Sequence, residues 1–165
     1  MTEESFFNFD KQMNDPDTLD ARLGIQTEEI QHDGTDSYHF HRYEPTPYPV
    51  LDELFSHITL EPEDVVIDYG CGLGRLNFYL ASRFHIRSIG IEMNPLYYDR
   101  AQENKTSCLS DDIRQLISFY PVRAEEYPVP AEATVFYFFN PFSVEIFRPV
   151  INQILLSWQN HPRKL

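Results

Sequence analysis

The chain has 165 residues, of which 42 % are hydrophobic and 15 % aromatic, a composition that predicts a globular protein with an apolar core and excludes a disordered one. Its net charge of −13 disfavours nucleic acid as a partner, because tight binding to phosphate backbones usually requires a basic surface. The sequence shows neither an apolar run of membrane-spanning length nor a basic segment followed by an apolar one, so we expect a cytoplasmic protein with no signal peptide and no membrane partner.

The first 40 residues are interpreted as an acidic arm. They carry ten acidic residues against two basic ones, whereas the other 125 residues carry 16 against 11. A short helix is predicted over residues 16–23, since Asp15 suits an N-cap and Gly24 suits the end of a helix. We therefore divide the chain into an N-terminal arm, residues 1–40, and one domain, residues 41–165.

Strands and helices alternate in the rest of the chain. Three prolines between residues 45 and 49 predict an extended segment, and the apolar residues from Val50 to Ile58 recur at helical spacing. Strands are then predicted at 65–69, 88–92, 117–122 and 133–139, and helices at 73–84, 95–106 and 143–158. The fourth strand includes the nearly continuous apolar run ATVFYFF, which is typical of a parallel strand buried on both faces. The pattern predicts an α/β fold with a doubly wound, mainly parallel sheet and helices on both faces.

The sequence ends soon after the last predicted helix. No strand follows Trp158 before the chain ends at Leu165, so either the sheet is small or the chain is a shortened form of a longer one. We favour the shortened form, because a very apolar fourth strand would otherwise lie at an open edge, which natural proteins avoid. We therefore expect a sheet that lacks its last strands.

The cysteine and histidine patterns predict no metal site. Cys71 and Cys108 are far apart and neither belongs to a Cys-x-x-Cys pair, which argues against a zinc cluster or a disulfide framework. His39 and His41 form a His-x-His pair, but no third or fourth ligand follows at a recognisable spacing. We interpret both as loop histidines.

A glycine-rich loop follows the first strand in the stretch VVIDYGCGLGR. Its glycines lie at positions 70, 72 and 74, and Arg75 stands where the third glycine of a dinucleotide fingerprint belongs. The Gly-Lys-Ser/Thr ending of a phosphate-binding P-loop is also absent. Both phosphate-binding interpretations are therefore disfavoured.

Two acidic residues flank this loop. Glu92 lies 22 residues after Gly70, where an open α/β site places the acid that accepts hydrogen bonds from a ribose diol. Asp68 adds negative charge where a dinucleotide would place its pyrophosphate, so the position suits a cationic group instead. A ribose, a cationic end and no pyrophosphate describe S-adenosylmethionine.

These residues resemble the class I S-adenosylmethionine-dependent methyltransferases. VVIDYGCGLGR is similar to their first motif and IGIEMNP to their second, and the resemblance extends over residues 40–145. It implies a Rossmann-like methyltransferase fold, S-adenosyl-L-methionine as cofactor and S-adenosyl-L-homocysteine as product. In that family the loop packs against the methionine part, the acid that matches Glu92 holds the ribose, and the residue that matches Met93 lies against adenine.

The resemblance implies further cofactor-binding residues. YEPTPY resembles a Pro-Thr-Pro segment that closes over the methionine end in several branches of the family. The usual acid of the third motif is absent, since Arg123 aligns there, so the contacts to the adenine edge are assigned to the Ala124 backbone and to Glu125. The implied cofactor-binding residues are Thr46, Tyr48, Asp68, Tyr69, Gly70, Cys71, Gly72, Gly74, Glu92, Met93, Ala124 and Glu125.

The stretch FFNPFS resembles the fourth motif of amino-group methyltransferases, without its second proline. The resemblance implies that Asn140, Pro141 and Phe142 form the catalytic motif: the Asn140 oxygen and a main-chain carbonyl accept hydrogen bonds from the target amine. Phe142, with Tyr137 or Tyr43, would wall the methyl-transfer site. Methyl transfer from a sulfonium needs no acid because the leaving group is neutral, and alignment can supply most of the acceleration.

The expected acceptor is an amino nitrogen of a protein or a small molecule. An amino group of an RNA or DNA base is the first alternative, disfavoured by the acidic charge and by the missing second proline. A non-catalytic S-adenosylmethionine-binding interaction protein is the second alternative, in which the acidic arm would serve partner binding.

Overall fold

The computed structural model describes residues 18–28 and 44–165. Asp15, the His39 and His41 pair, and Tyr43 lie outside the described residues, so the predictions for them stay predictions. The described ranges contain no group of three or more side chains that could hold a metal ion. No helix within them is long and apolar enough to cross a membrane.

The described residues form alternating helices and strands. In chain order these are α1 (Leu19–Leu23), α2 (Tyr48–Ser56), β1 (Val65–Tyr69), α3 (Arg75–Phe84), β2 (Arg87–Ile91), α4 (Pro95–Ser107), α5 (Asp111–Gln115), β3 (Ile117–Tyr120), a 3₁₀ turn (Ala124–Glu126), β4 (Val135–Phe138) and α6 (Val144–Asn160). The strands and long helices predicted from the sequence are present, with ends shifted by up to two residues. α5 and the 3₁₀ turn were not predicted, because elements of three to five residues are too short to show a periodic pattern.

The N-terminal helix, predicted over residues 16–23, begins at Leu19 in the structure. The Thr18 side chain accepts a hydrogen bond from the Ala21 N–H at 3.3 Å and thereby caps α1. The helix ends at Gly24, which adopts a left-handed conformation with φ of 69°, as the sequence predicted.

The four described strands form one parallel sheet in the order β3-β2-β1-β4. At the carboxyl end of β1, Tyr69 pairs with Ile91 of β2 on one side and with Phe138 of β4 on the other. Ile91 in turn pairs with Tyr120 of β3. The predicted parallel α/β sheet is therefore confirmed, and all four strands end at the same edge.

Both faces of the sheet are covered by apolar clusters, as expected for a doubly wound fold. β1 is buried along its whole length because it lies at the centre of the sheet. Val66 belongs to a cluster with residues of α1, α3 and α4, including Leu23 and Phe78. Ile67 belongs to a second cluster that includes Val150 of α6. Side chains of neighbouring strand residues point to opposite faces, which explains this division.

β4 departs from the prediction of burial on both faces. All four of its residues are only half-buried. β4 lies at the edge of the described sheet and pairs with β1 alone, so its side chains have strand neighbours on one side only. The apolar composition of ATVFYFF predicted the strand correctly but overestimated its burial.

Candidate active site

The site is built where the carboxyl ends of the strands meet. Asp68 is the penultimate residue of β1, Glu92 follows β2, Ala124 follows β3 and Asn140 follows β4. In open α/β sheets, ligands bind in the crevice outside this edge. The parallel topology therefore brings together all four motifs that the sequence analysis singled out.

The glycine loop, residues 70–74, turns tightly over the end of β2. Its three glycines have φ of 79°, 53° and 88°. The backbone N–H groups of Gly70 and Cys71 both donate to the Ile91 carbonyl, at 2.8 and 3.1 Å. A Cβ atom at Gly70 would lie 2.5 Å from the Cβ of Pro141, so only glycine fits there. The fourth motif therefore packs directly against the first.

Glu92 is buried and oriented by the backbone. One carboxylate oxygen accepts a hydrogen bond from the Gly72 N–H at 2.9 Å, and the other accepts one from the Asn94 N–H at 2.8 Å. Burial raises the pKa of Glu92, and the hydrogen bonds from Asn94, Gly72 and Met93 oppose that rise. Since each carboxylate oxygen can accept two hydrogen bonds, both retain capacity for a ligand.

Asp68 is the second buried acid of the site, with 4 % of its surface exposed. Burial, together with the nearby charge of Glu92, raises the pKa of Asp68 to about 8. A cationic ligand would pair with the ionised forms of these two buried acids and lower both pKa values, whereas an anionic ligand would raise them further, so the site favours a cation.

Cys71 occupies the loop as a packing residue. Burial, and then the charges of Asp68 and Glu92, raise the pKa of its thiol well above the ordinary value. A Cβ atom at Gly90 would lie 2.6 Å from its Sγ atom, so the thiol fills the space over β2. An uncharged, buried thiol of this kind is chemically inert.

The Pro-Thr-Pro segment lies between β4 and residues 18–28. The Thr46 Oγ1 atom is 2.8 Å from the hydroxyl oxygen of Tyr137, and Thr46 is buried. Tyr48 begins α2 and donates its hydroxyl hydrogen to the Asp20 carboxylate. Burial and that carboxylate raise the pKa of Tyr48. Both predicted residues therefore connect the segment to neighbouring elements.

The residues assigned to the adenine end of the cofactor, which follow β2 and β3, differ in burial and hydrogen bonding. The guanidinium of Arg123 lies 2.7 Å from the Oε1 atom of Glu125. The other carboxylate oxygen of Glu125 is buried and accepts no hydrogen bond from the described residues. Ala124 is buried at the start of the 3₁₀ turn, whereas Met93 is 37 % exposed.

The fourth motif divides into an exposed and a buried part. Asn140 is exposed and has φ of 47°, a left-handed conformation that asparagine tolerates better than most residues. Phe142 is buried in the second core cluster, with its ring edge-on to Phe138 at 6.2 Å between ring centroids. Tyr69 stacks on Phe138 at 5.0 Å, and its buried hydroxyl has no hydrogen-bond partner among the described residues.

The structure adds buried polar residues that the sequence did not single out as part of the site. Arg75 follows the glycine loop, and its guanidinium donates to Thr27 at 2.8 Å. Asn104 of α4 donates to the carbonyl of Leu73 at 3.0 Å. No pattern in the sequence separates these side chains from solvent-exposed ones, because polar residues on a helix ordinarily face water.

Comparisons with known proteins identify the family of the chain. A family model described as histone methylation protein DOT1 matches residues 35–128, which is more than half of the chain. No curated protein matches the sequence.

Several solved structures are similar to the chain. An S-adenosylmethionine-dependent methyltransferase from Geobacter sulfurreducens, in complex with S-adenosyl-L-homocysteine, is 24 % identical with a TM-score of 0.56, over 74 % of this chain and 47 % of that one. An RNA methyltransferase from Salinibacter ruber, in complex with S-adenosyl-L-homocysteine, is 31 % identical with a TM-score of 0.49, over 56 % of this chain and 58 % of that one. A geranyl diphosphate C-methyltransferase from Streptomyces coelicolor A3(2) is 19 % identical with a TM-score of 0.46, over 53 % of this chain and 32 % of that one.

The chain spans less than two thirds of the length of each of these structures. Its likeness to the Geobacter sulfurreducens structure supports the Rossmann-like fold predicted from the sequence. The family follows from the match over residues 35–128: the chain belongs to the family of histone methylation protein DOT1, within the class I S-adenosylmethionine-dependent methyltransferases.

Proposed function

We propose that the chain binds S-adenosylmethionine and transfers its methyl group to an amino nitrogen of a protein or a small molecule. The observation that carries this proposal is the pair of buried carboxylates, Asp68 and Glu92, on either side of the glycine loop. Such a pair suits a ligand that combines a cationic end with ribose hydroxyls and disfavours one that carries a pyrophosphate. Membership of the methyltransferase family supports the same ligand.

The described residues fit each part of this cofactor. Glu92, held by two backbone N–H groups, would accept hydrogen bonds from the ribose hydroxyls. Asp68 would face the cationic methionine end. The buried carboxylate oxygen of Glu125 that lacks a partner among the described residues would accept a hydrogen bond from the adenine amino group, and the exposed Met93 side chain would pack against the adenine ring. The cofactor itself supplies a methyl group on a positively charged sulfur.

Asn140 is the residue we assign to the acceptor. Its exposed side-chain oxygen would accept a hydrogen bond from the target amine and orient the nitrogen lone pair toward the methyl group. The amine must be neutral to react, and the proton it carries after transfer passes to solvent. Orientation of this kind requires no nucleophile or catalytic base from the protein.

A protein acceptor is favoured over a nucleic acid. The net charge of −13 attracts cationic groups and repels phosphate backbones at long range. The description of the matching family, histone methylation, also names a protein acceptor. The acceptor we propose is therefore an amine on a basic protein or a cationic small molecule.

Calorimetric titration with S-adenosyl-L-homocysteine tests the cofactor. We expect saturable binding to the folded protein, and the absence of heat from a folded sample would contradict the proposal. Transfer of a labelled methyl group into a cell lysate, treated beforehand with either nuclease or protease, then tests the acceptor. Loss of label after protease supports a protein, whereas loss after nuclease only would identify a nucleic acid instead. Binding without transfer to any fraction would indicate a non-catalytic binding protein.

Asn140→Gly separates the side chain from its backbone conformation. Glycine adopts a left-handed φ without strain, so the variant removes the amide and leaves the turn intact. We expect transfer to fall by about 100-fold, the loss typical of a misplaced reactant, with unchanged affinity for S-adenosyl-L-homocysteine. Asn140→Ala is the matched control, since it removes the same amide but adds backbone strain of about 1–2 kcal/mol. Equal losses of transfer and cofactor affinity in Asn140→Gly would contradict the assigned role.

A further inference from the structure

Residues 18–28, which we call the arm segment, pack directly against the domain that carries the glycine loop. Leu19, Leu23 and Ile25 are buried in the same apolar cluster as residues of α3 and α4. The backbone N–H of Leu109 also donates to the Leu23 carbonyl at 2.9 Å. The arm segment is therefore part of the folded core on the side of the sheet that bears α3.

Asn104 of α4 connects the arm segment to the glycine loop through a single side-chain amide. Its oxygen accepts a hydrogen bond from the Gln26 N–H at 2.8 Å. Its nitrogen donates to the Gln26 carbonyl at 2.9 Å and to the Leu73 carbonyl at 3.0 Å. Asn104 is only 6 % exposed, and these bonds use both of its amide hydrogens.

Leu73 lies within the glycine loop, so the third of these bonds acts on the loop backbone itself. The Leu73 side chain is fully buried, and the Gly74 N–H donates to the Cys71 carbonyl at 2.9 Å, which leaves the loop few alternative conformations. Loss of the Asn104 amide would leave the buried Leu73 carbonyl without this partner. An unsatisfied buried acceptor is expensive, so the loop would shift to recover a hydrogen bond.

Arg75, the residue that follows the loop, provides a second connection at the same end of the loop. Its side chain is 6 % exposed, and its guanidinium donates to the Thr27 hydroxyl at 2.8 Å and lies 2.9 Å from the Glu28 carboxylate. The guanidinium carbon also lies 4.8 Å from the centre of the Tyr48 ring. Asp20 accepts hydrogen bonds from the Thr27 backbone and hydroxyl groups and from Tyr48. The arm segment is thus linked to the C-terminal end of the loop through two side chains, Asn104 and Arg75.

We propose that Asn104 is a positioning residue for the cofactor site: its amide holds the Leu73 carbonyl and couples the glycine loop to the docking of the arm segment. This inference rests on the proposed function, because it assumes that the loop binds S-adenosylmethionine. Asn104 is bonded to the loop backbone and would act on the cofactor through the loop. Coupling is reciprocal in binding free energy, so cofactor binding must strengthen the docking of the arm segment by the same factor by which docking strengthens cofactor binding.

The test compares Asn104→Ala with Ser107→Ala in the full chain. Ser107 is also on α4 and donates to the Gly24 carbonyl of the arm segment at 3.0 Å, but within the described ranges its hydroxyl forms no hydrogen bond with the glycine loop. We expect Asn104→Ala to weaken binding of S-adenosyl-L-homocysteine about tenfold in calorimetric titration, with KM raised more than kcat is lowered. Ser107→Ala should change that affinity less than twofold.

Hydrogen exchange distinguishes coupling from a purely structural role of Asn104, because only coupling makes protection of the arm segment depend on the bound ligand. In the wild-type protein, saturating S-adenosyl-L-homocysteine should slow exchange of the backbone amides in residues 24–28. This protection should be lost in Asn104→Ala and retained in Ser107→Ala. If Asn104→Ala does not fold, Asn104→Asp replaces it, since aspartate keeps the shape and the acceptor for the Gln26 N–H but removes the amide donor to the Leu73 carbonyl, and the same losses are expected.

The outcomes separate the inference from the proposed function. Absence of binding to the folded wild-type protein overturns both. Binding to the wild-type protein with unchanged affinity in folded Asn104→Ala overturns the inference alone. Equal weakening in Asn104→Ala and Ser107→Ala also overturns it, because the effect would then reflect general loosening of the arm segment.

Discussion

Replacing Asp68 with asparagine should remove a loss of stability that the wild-type protein shows as pH rises toward 8. The folded protein raises the pKa of Asp68 from 3.8 to about 8. Above pH 3.8 the folded state therefore keeps a proton that the unfolded state has released. Stability falls wherever the folded state binds more protons, so Asp68 destabilises the protein progressively as pH rises toward 8. Asparagine has the same shape, cannot ionise and escapes this cost.

The magnitude follows from the slope of proton linkage. One proton bound in excess by the folded state lowers the free energy of unfolding by about 1.4 kcal/mol for each pH unit. Between pH 5 and pH 7 the stability difference between Asp68→Asn and the wild-type protein should thus grow by about 3 kcal/mol, in favour of the variant. Above the pKa of about 8 the difference should become constant, because both folded and unfolded wild-type states are then ionised.

Urea unfolding of both proteins at half-unit steps from pH 5 to pH 9 measures this difference. Subtraction at each pH removes the contribution of groups that titrate equally in both proteins. Asp99→Asn, at an exposed aspartate of α4, is the matched control for the replacement of a carboxylate by an amide. A difference for Asp68→Asn that does not change between pH 5 and pH 8 would refute the reasoning.

The same titration has a consequence for cofactor binding. A cationic ligand favours the ionised form of Asp68, so the wild-type affinity for S-adenosylmethionine should rise with pH up to about 8, with release of a proton on binding. Calorimetry in two buffers of different ionisation enthalpy measures that proton. Asp68→Asn should bind more weakly and release fewer protons. Equal affinity and proton release in the two proteins would mean that Asp68 does not face the cationic end.

Three further substitutions test individual contacts. Gly70→Ala should abolish binding of S-adenosyl-L-homocysteine, because its Cβ would lie 2.5 Å from that of Pro141 at a φ of 79°; wild-type affinity by calorimetry would contradict this. Tyr137→Phe removes the 2.8 Å hydrogen bond to Thr46 and should lower the free energy of unfolding by about 1 kcal/mol in urea; no change would show that the bond contributes nothing net. Glu125→Gln should weaken S-adenosyl-L-homocysteine several-fold without loss of thermal stability, whereas a drop in Tm with unchanged affinity would indicate a structural role.

The sequence by itself determined the order of strands and helices and the residues at the strand ends. Apolar runs with β-branched residues, separated by helical patterns, were sufficient to predict a parallel α/β sheet. The spacing of the glycine loop and of Glu92 predicted the class of ligand, since local backbone geometry dictates where glycines are required. The first two motifs can therefore be recognised from short stretches of sequence, and both lie within residues 35–128, which the family model matches.

Only the tertiary structure decided how the site is supported. Packing buries Phe142 against Phe138 and leaves Asn140 exposed, although the three residues of the fourth motif are adjacent in sequence. The packing of α4 places the Asn104 amide between Gln26 and Leu73, residues separated from one another by 47 positions. No local pattern reports such a contact, because the burial of a polar side chain depends on which distant backbone groups satisfy it.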